Sequence, residues 1–196
     1  MTPAPTFLDT LAELQSVLEA SKSLAGPIEE TARVVISVLL VGGKILTCGN
    51  GGSAADALHL SEELVGRYKA DRRSLPAICL NADGTVLTCI ANDYGYEQVF
   101  ARQISGLGAA GDVLVAFSTS GHSPNVLAAL RRARKLGITT ILLTGKDGGP
   151  ASKVSDHALI VPSPVTARIQ EVHTLILHQW LEVVDACDWS QTPSHD

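Results

Sequence analysis

Apolar residues follow two patterns, and segments of the two patterns alternate along the chain. Short runs that are apolar without alternation are typical of strands buried on both faces of a parallel sheet. The segments between them carry apolar residues at helical spacing. The predicted strands are Ile45–Cys48, Ala77–Leu80, Val113–Phe117, Thr140–Leu143 and Ala158–Val161, and the predicted helices are at about 53–66, 85–91, 96–107, 124–136 and 165–186. This alternation predicts an α/β fold, a doubly wound three-layer sandwich whose five-stranded parallel sheet has the order 2-1-3-4-5.

Two further helices precede the first strand and belong to no strand–helix–strand unit. Apolar spacing predicts one helix from Phe7 and a second from about Pro27 to about Val41. We expect this pair to pack against another subunit, which makes the protein a homo-oligomer. The predicted organisation is a single domain of residues 1–196, with the N-terminal helix pair at about 7–42, the α/β core at about 44–187 and a disordered tail at about 188–196.

Composition and charge narrow the class of protein. The 196 residues are 45% hydrophobic, which suits one domain with a sizeable core. The net charge of −5 and the lack of a basic run argue against nucleic-acid binding. The chain opens without a signal-peptide pattern, and its longest apolar run is too short to span a bilayer, so we expect a cytoplasmic protein without membrane contact. No CxxC spacing is present, which argues against a disulfide framework or a cysteine zinc site.

A glycine-rich turn, Gly49-Asn50-Gly51-Gly52-Ser53, leads from the first strand into a helix. The N–H groups of such a turn, and the positive end of the helix dipole, converge on one spot and predict an anion site, most often for phosphate. The turn also satisfies the dinucleotide fingerprint formally, as Gly49-x-Gly51-x-x-Ala54. The acidic residue expected after the second strand comes late, at Asp83, and no GxxxxGK[ST] motif is present, so neither nucleotide reading is favoured.

Polar residues on the helix after this turn share one side. Asp56, His59, Glu63 and Arg67 project together at about 100° per residue. His59 and Glu63 are four residues apart and lie one turn above each other. Such a pair can hold a metal ion or move a proton. The alternative is a solvated polar face with a weak His–Glu contact.

A second polar loop, Ser118-Thr119-Ser120-Gly121-His122-Ser123, follows the third strand. Pro124 suits the first helical position with Ser123 as N-cap, so the hydroxyls lie at a helix N-terminus and predict a second phosphate-binding loop. The alternative is a serine-rich turn that only caps its own helix. In the order 2-1-3-4-5 the first and third strands are neighbours, and both loops would open into one crevice.

The last helix carries Gln170, His173 and His178 in an otherwise Leu/Ile/Val sequence. Either histidine alone is also explained as a core histidine with its hydrogen bonds satisfied. Gln170 and His178 are about 12 Å apart along an ideal helix. They could share one ion only if long side chains converge, the helix bends or a second subunit contributes.

Four motifs together resemble the phosphoheptose isomerases of the sugar-isomerase (SIS) domain superfamily. They are CGNGGSAADALHLSEELVGRY, STSGHSPNV, LTGKDGG and ARIQEVHTLILH, and the resemblance covers nearly the whole chain, including the helix pair. It implies an aldose–ketose isomerase that converts D-sedoheptulose 7-phosphate to D-glycero-D-manno-heptose 7-phosphate through an enediol, the first step of nucleotide-activated heptose biosynthesis. It also implies a homotetramer with one zinc ion per subunit, in sites at subunit contacts.

The resemblance also assigns roles to residues. It implies that Glu63 and His178 are the acid–base pair, and that the zinc ligands are His59, Glu63, Gln170 and His178. It places the substrate among Asn50, Gly51, Gly52, Ser53, Arg67, Asn92, Asp93, Ser118, Thr119, Ser120, Ser123 and Gln170. Two departures are His122, where the family usually has Asn, and Ala167, where some members have Asp. The alternative is a non-catalytic SIS protein that binds a sugar phosphate or a replication initiator, which the presence of Glu63 and His178 disfavours.

Overall fold

The sheet has five parallel strands in the order β2-β1-β3-β4-β5, which confirms the predicted topology. A computed structural model describes residues 4–190 of the chain. The strands are β1 Ile45–Gly49, β2 Ala77–Cys79, β3 Val113–Ser118, β4 Thr139–Gly145 and β5 His157–Val161. β1 and β3 are neighbours in register, with Gly49 beside Phe117, so the loops that follow them start at the same edge.

Helices cover both faces of the sheet and complete the three layers. They are α1 Phe7–Ala20, α2 Ala25–Leu40, α3 Gly52–Val65, α4 Gly84–Tyr94, α5 Ala101–Leu107, α6 Pro124–Lys135, α7 Gly149–Ser152 and α8 Thr166–Asp185, with 3-10 turns at Ser21–Leu24 and Tyr96–Gln98. β3 shows how the core divides: Val115 and Phe117 pack towards α2, α3 and α8, whereas Leu114 and Ala116 pack towards α4, α5 and α6. The predicted N-terminal helix pair is present.

Several details differ from the predictions. α3 ends at Val65, where the Gly66 amide donates to the Glu62 carbonyl, so Arg67 lies beyond the helix and does not extend its polar face. α7 was not predicted, because four residues are too short for helical periodicity. Trp189, assigned above to a disordered tail, is buried, and its indole N–H donates to the Val184 carbonyl at 2.9 Å.

The remainder of the predicted tail, residues 191–196, lies outside the described residues. Within residues 4–190, no helix combines the length and hydropathy that crossing a membrane requires. All four cysteines have free thiols. Cys48 is fully buried at the end of β1, and burial raises the pKa of its thiol above the ordinary range.

Candidate functional site

The two polar loops open into one cavity of about 300 Å³ at the carboxyl edge of β1 and β3. This confirms that the loops share a crevice, as the strand order required. The cavity lies where the sheet's strand order changes direction. Its lining residues are Asn50, Gly52, Ser53, Phe117, Ser118, Thr119, Ser120, Ser123, Thr166 and Gln170.

Glycine is required in the first loop for two reasons. Gly51 has φ +57°, a conformation that L-residues rarely adopt. A Cβ on Gly52 would lie 2.8 Å from the Gln170 side-chain carbon Cδ, so only glycine lets Gln170 reach the loop from α8. The turn therefore admits one polar side chain from the last helix to the cavity.

Three helices of twelve or more residues begin at this cavity. Gly52 opens α3, Ser123 is the N-cap of α6, and Thr166 opens α8. Each N-terminus has N–H groups without an intrahelical acceptor and the positive end of a dipole. Their convergence favours an anion such as phosphate. Thr166 was not among the predicted site residues, although a hydroxyl residue opening a helix after the last strand was a usable signal.

The serine-rich loop is supported from behind by the loop after β4. Gly121 has φ +64°, and its carbonyl accepts from the Ala151 amide at 3.0 Å. A Cβ on Gly149 would lie 2.7 Å from the Ser120 carbonyl oxygen, so side chains there would push the two loops apart. The LTGKDGG motif, whose role could not be read from the sequence, thus packs under the second predicted phosphate loop.

His122 is exposed and turns back on its own loop. Its Nδ1 lies 2.6 Å from the Ser120 carbonyl oxygen, and its amide donates to Ser120 Oγ at 3.2 Å. It is not among the cavity-lining residues. His122 therefore contacts its own loop and not the cavity.

A second group of polar side chains lies farther along α3 and α8, and we call His59, Glu63 and His178 the histidine–glutamate cluster. His59 Nε2 lies 3.4 Å from Glu63 Oε1. The His178 ring stands edge-on to the His59 ring, with centroids 5.0 Å apart. The two helices face each other here, which the sequence left open. The predicted catalytic pair thus meets in one place.

Asp56 links α3 to α8 between the cavity and the cluster. Its Oδ1 accepts a hydrogen bond from the Thr174 hydroxyl at 3.1 Å. Burial raises the pKa of this carboxyl, while the Thr174 bond and the charge of His59 lower it in part. Because Asp56 is buried between helices, the polar side of α3 is an interhelical contact at this point, while His59 farther along stays partly exposed.

The His178 ring is held between two other rings. Tyr68 stacks on it with centroids 5.5 Å apart and an interplanar angle of 26°. Lys69 pairs with Glu182, one turn beyond His178 on α8. Burial, followed by the nearby His59, lowers the pKa of His178 and favours its neutral form. A neutral imidazole has one donor and one acceptor nitrogen.

The donor set of the cluster fits a zinc ion. Ligand atoms of His59 and Glu63 lie within 4.8 Å of each other, with the exposed carboxylate of Glu62 at their edge, and the His178 ring stands beside the His59 ring. Imidazole nitrogen and carboxylate oxygen are ordinary zinc ligands. Gln170, the fourth ligand implied by the resemblance, lies against Gly52 in the cavity. The single chain therefore brings three of the four residues together and leaves Gln170 with the phosphate loops.

Four residues assigned to the substrate do not line the cavity of the single chain: Gly51, within the glycine-rich turn, and the three surface residues Arg67, Asn92 and Asp93. Arg67 is exposed and donates to the Lys69 carbonyl at 3.4 Å. Asn92 and Asp93 are exposed at the end of α4, where Asn92 Nδ2 donates to Asp93 Oδ1 at 2.8 Å. Their positions on the surface leave them available to a neighbouring molecule.

The residues that would bind a ribose in a dinucleotide site have structural partners. Asn81, after β2, exchanges two hydrogen bonds with the Gly49 backbone at 2.9 and 3.1 Å. The Asp83 carboxylate caps α4 by accepting from the Thr85 and Val86 amides. The dinucleotide alternative therefore gains no support.

His173 is a core histidine, but its hydrogen bonds are not all satisfied as that alternative held: among the described residues, its buried Nδ1 has no partner. It is fully buried, and its Nε2 lies 3.1 Å from the Thr144 carbonyl oxygen. Burial lowers its pKa to about 4, so the ring is neutral near pH 7.

Known proteins resemble the chain over nearly its whole length. The SIS domain family matches residues 6–145. A phosphoheptose isomerase of Campylobacter jejuni is 50% identical over 88% of this chain and 93% of its own, and one of Helicobacter pylori is 51% identical over 86% and 88%. The solved phosphoheptose isomerase of Neisseria gonorrhoeae superposes with a TM-score of 0.86 at 42% identity, over 91% of this chain and 96% of that one.

Proposed function

The chain belongs to the phosphoheptose isomerase family of SIS-domain proteins, a family of sugar-phosphate isomerases, and we propose that it converts D-sedoheptulose 7-phosphate to D-glycero-D-manno-heptose 7-phosphate. One observation carries the proposal. The cavity formed by three helix N-termini and the histidine–glutamate cluster both lie along α3 and α8, so one substrate can reach both. This reaction would open nucleotide-activated heptose biosynthesis.

The cavity would bind the phosphate group at the remote end of the substrate. Hydroxyls of Ser53, Ser118 and Ser123 line it beside the helix N-termini. Among them, Ser118 and Ser123 have oxygens 3.4 Å apart, close enough to bind one anion together. Fixing the phosphate holds the C1–C2 end against the acid–base pair, which reduces the entropic cost of reaction.

Glu63 and His178 would carry the two proton transfers. Glu63 removes a proton from C1 of the ketose and returns it to C2. His178 gives a proton to the C2 oxygen, forming the enediol, and takes one from the C1 hydroxyl as the aldehyde forms. No proton is gained or lost overall. An imidazole N–H suits this exchange, because it can donate one proton and later recover one at the same nitrogen.

We propose that zinc is held by His59, Glu63 and His178, with Gln170 as the fourth ligand implied by the resemblance. The cluster's nitrogen and oxygen donors support this assignment. When bound, the ion supplies a Lewis acid that polarises the substrate carbonyl. The chain's own residues orient the substrate and move its protons.

We further propose a homotetramer in the cytoplasm, in which subunit contacts complete the site. Exposed apolar side chains on α1, at Phe7 and Leu8, support association. An apolar groove lined by Leu18, Ile28 and Leu175 runs between the N-terminal helices and α8 and supports it too. Size-exclusion chromatography with light scattering should give four times the mass of 20.6 kDa. A monomer that retains full turnover would contradict this assembly.

Turnover of sedoheptulose 7-phosphate by metal-free protein, before and after zinc addition, tests the proposal. Zinc-dependent formation of the aldoheptose phosphate, with bound zinc measured in parallel by atomic emission, is the expected result. Absence of turnover in both states, while inorganic phosphate still binds, would favour a sugar-phosphate sensor or a protein-binding SIS domain instead.

A further inference from the structure

Two side-chain amides join the loops on either side of the cavity. Asn50 Nδ2 donates to Asn125 Oδ1 at 2.9 Å, and Asn125 Nδ2 donates back to Asn50 Oδ1 at 2.8 Å. The Tyr96 hydroxyl donates to the same Asn50 oxygen at 3.1 Å. We call Asn50, Asn125 and Tyr96 the amide clamp.

Asn125 is the fixed member of the clamp. Only 2% of it is exposed, in the first turn of α6, and its Oδ1 also accepts from the Val126 amide at 3.0 Å. A buried amide with this many partners has one orientation, because any other would leave a polar group unsatisfied. Asn125 thereby holds Asn50 in a defined position.

The clamp connects three segments that are distant in sequence. Asn50 belongs to the glycine-rich turn, and its carbonyl accepts the Ser53 amide at 3.1 Å. Asn125 follows the serine-rich loop directly, at the start of α6. Tyr96 lies in the 3-10 turn after α4. The separation between the two phosphate loops therefore depends on side-chain contacts as well as on the strand pairing.

We infer that Asn125 and Tyr96 are positioning residues that act through Asn50 to set the separation of the two loops and so the affinity for phosphate. The inference rests on the proposed phosphate binding. The clamp also limits which atoms of the Asn50 side chain can contact a ligand. Both lone pairs of its Oδ1 are used within the clamp, so a substrate hydroxyl cannot donate to that oxygen, and one Nδ2–H remains for a ligand.

Binding of inorganic phosphate to the full-length protein, measured by calorimetry, tests the inference. Asn125→Ala loses both amide bonds and should raise the phosphate Kd about tenfold, with a similar rise in KM for the sugar phosphate and a much smaller change in kcat. Gln103→Ala is the matched control. It removes another partly buried amide, bonded to the Leu80 and Val99 carbonyls, and should leave the phosphate Kd unchanged.

A double-mutant cycle separates positioning from a general loss of stability. If Asn125 acts through Asn50, Asn50→Ala together with Asn125→Ala should weaken phosphate binding no more than the stronger single change. Effects that multiply would overturn the inference. Tyr96→Phe removes one bond at a side chain that is more than half exposed, so the variant should fold, and its Kd should rise two- to threefold, about what one neutral hydrogen bond provides.

Different experimental outcomes would contradict the role of the clamp and the proposed function. If phosphate binding depends on the clamp but sedoheptulose 7-phosphate is not turned over, the clamp stands and the proposed substrate fails. If the substrate is turned over while Asn125→Ala and Tyr96→Phe leave the phosphate Kd unchanged, the clamp is wrong and the function stands.

Discussion

The cavity proposed to bind phosphate and the histidine–glutamate cluster are built by different means, although both lie along α3 and α8. The cavity consists of loop backbone, short hydroxyl side chains and three helix N-termini. The cluster consists of long side chains on two facing helices, and 32% of the His59 side chain is exposed. Backbone geometry and the amide clamp thus shape the cavity within one chain, whereas the cluster depends on packing around each ring.

This difference shows where binding and chemistry can be separated. Changes in the cavity should alter affinity for any phosphate, whereas changes in the cluster should alter turnover and leave phosphate binding intact. Helix N–H groups stay in place when a side chain is replaced. Substitutions in each region test that separation.

Replacing Glu63 with Gln should lower kcat about a thousandfold, because the amide cannot remove a carbon-bound proton. Affinity for inorganic phosphate should stay within twofold of wild type, since the cavity lies elsewhere on α3. Steady-state kinetics and calorimetry measure the two quantities. Glu62→Gln changes the exposed neighbouring carboxylate and should cost less than tenfold. An active Glu63→Gln enzyme, or an equal loss in both variants, would remove Glu63 from this role.

His173, fully buried on α8, should make folding pH-dependent. Its folded pKa of about 4 lies below the ordinary value of 6.5, so the unfolded chain binds its proton first as pH falls. Stability should therefore be lost between about pH 6.5 and pH 4, by about 3 kcal/mol in all.

Denaturant unfolding of metal-free protein across this pH range measures the effect without zinc release. His173→Gln keeps a donor for the Thr144 carbonyl but does not titrate, so its pH slope should be shallower. His122→Gln, at an exposed loop histidine, is the control and should keep the wild-type slope. Identical slopes for all three proteins would show that another group dominates.

Gly52→Ala should weaken phosphate binding in the cavity without unfolding the protein. The new methyl group would displace the Gln170 side chain, which can move, rather than backbone. We expect the phosphate Kd to rise about tenfold while Tm changes little, because the loss amounts to one or two hydrogen bonds. Gly106→Ala is the matched control, because a Cβ there meets no atom within 4 Å. Unchanged phosphate affinity in Gly52→Ala would place Gln170 outside the phosphate site.

Substitution of Tyr68 should have the smallest effect on kcat, because Tyr68 acts only through the ring stack that orients His178. Tyr68→Leu should lower kcat two- to tenfold, the range expected for one lost aromatic pair, with phosphate affinity unchanged. Tyr68→Phe keeps the ring and should restore most of the activity. If Phe and Leu behave alike, the stack does not position His178.

The candidate site could be predicted from sequence to the extent that its signals are local. The glycine-rich turn, the serine-rich loop and the helix starts that follow them can be read from consecutive residues. The strand order then followed from strand–helix alternation and crossover handedness, which placed both loops at one edge. The polar side of α3, with Asp56, His59 and Glu63, could be predicted in the same way, but the helix that packs against it could not.

Contacts between distant segments required the tertiary structure. The pairing of Asn50 with Asn125 spans 75 residues, and Thr174 meets Asp56 across 118. The support of Gly121 by the loop at Gly149 and the burial of Trp189 are of the same kind. No local periodicity or turn preference encodes which side chains such packing brings together.

Residues close along the chain were therefore enough to predict most of the elements, their order in the sheet and the loops that can bind an anion. The tertiary structure was needed to show that Gln170 lies beside Gly52, while His178 lies beside His59 and Tyr68. The physical reason is that α8 runs past the whole length of α3. Which residues meet depends on the packing of the two helices against one another and on the sheet.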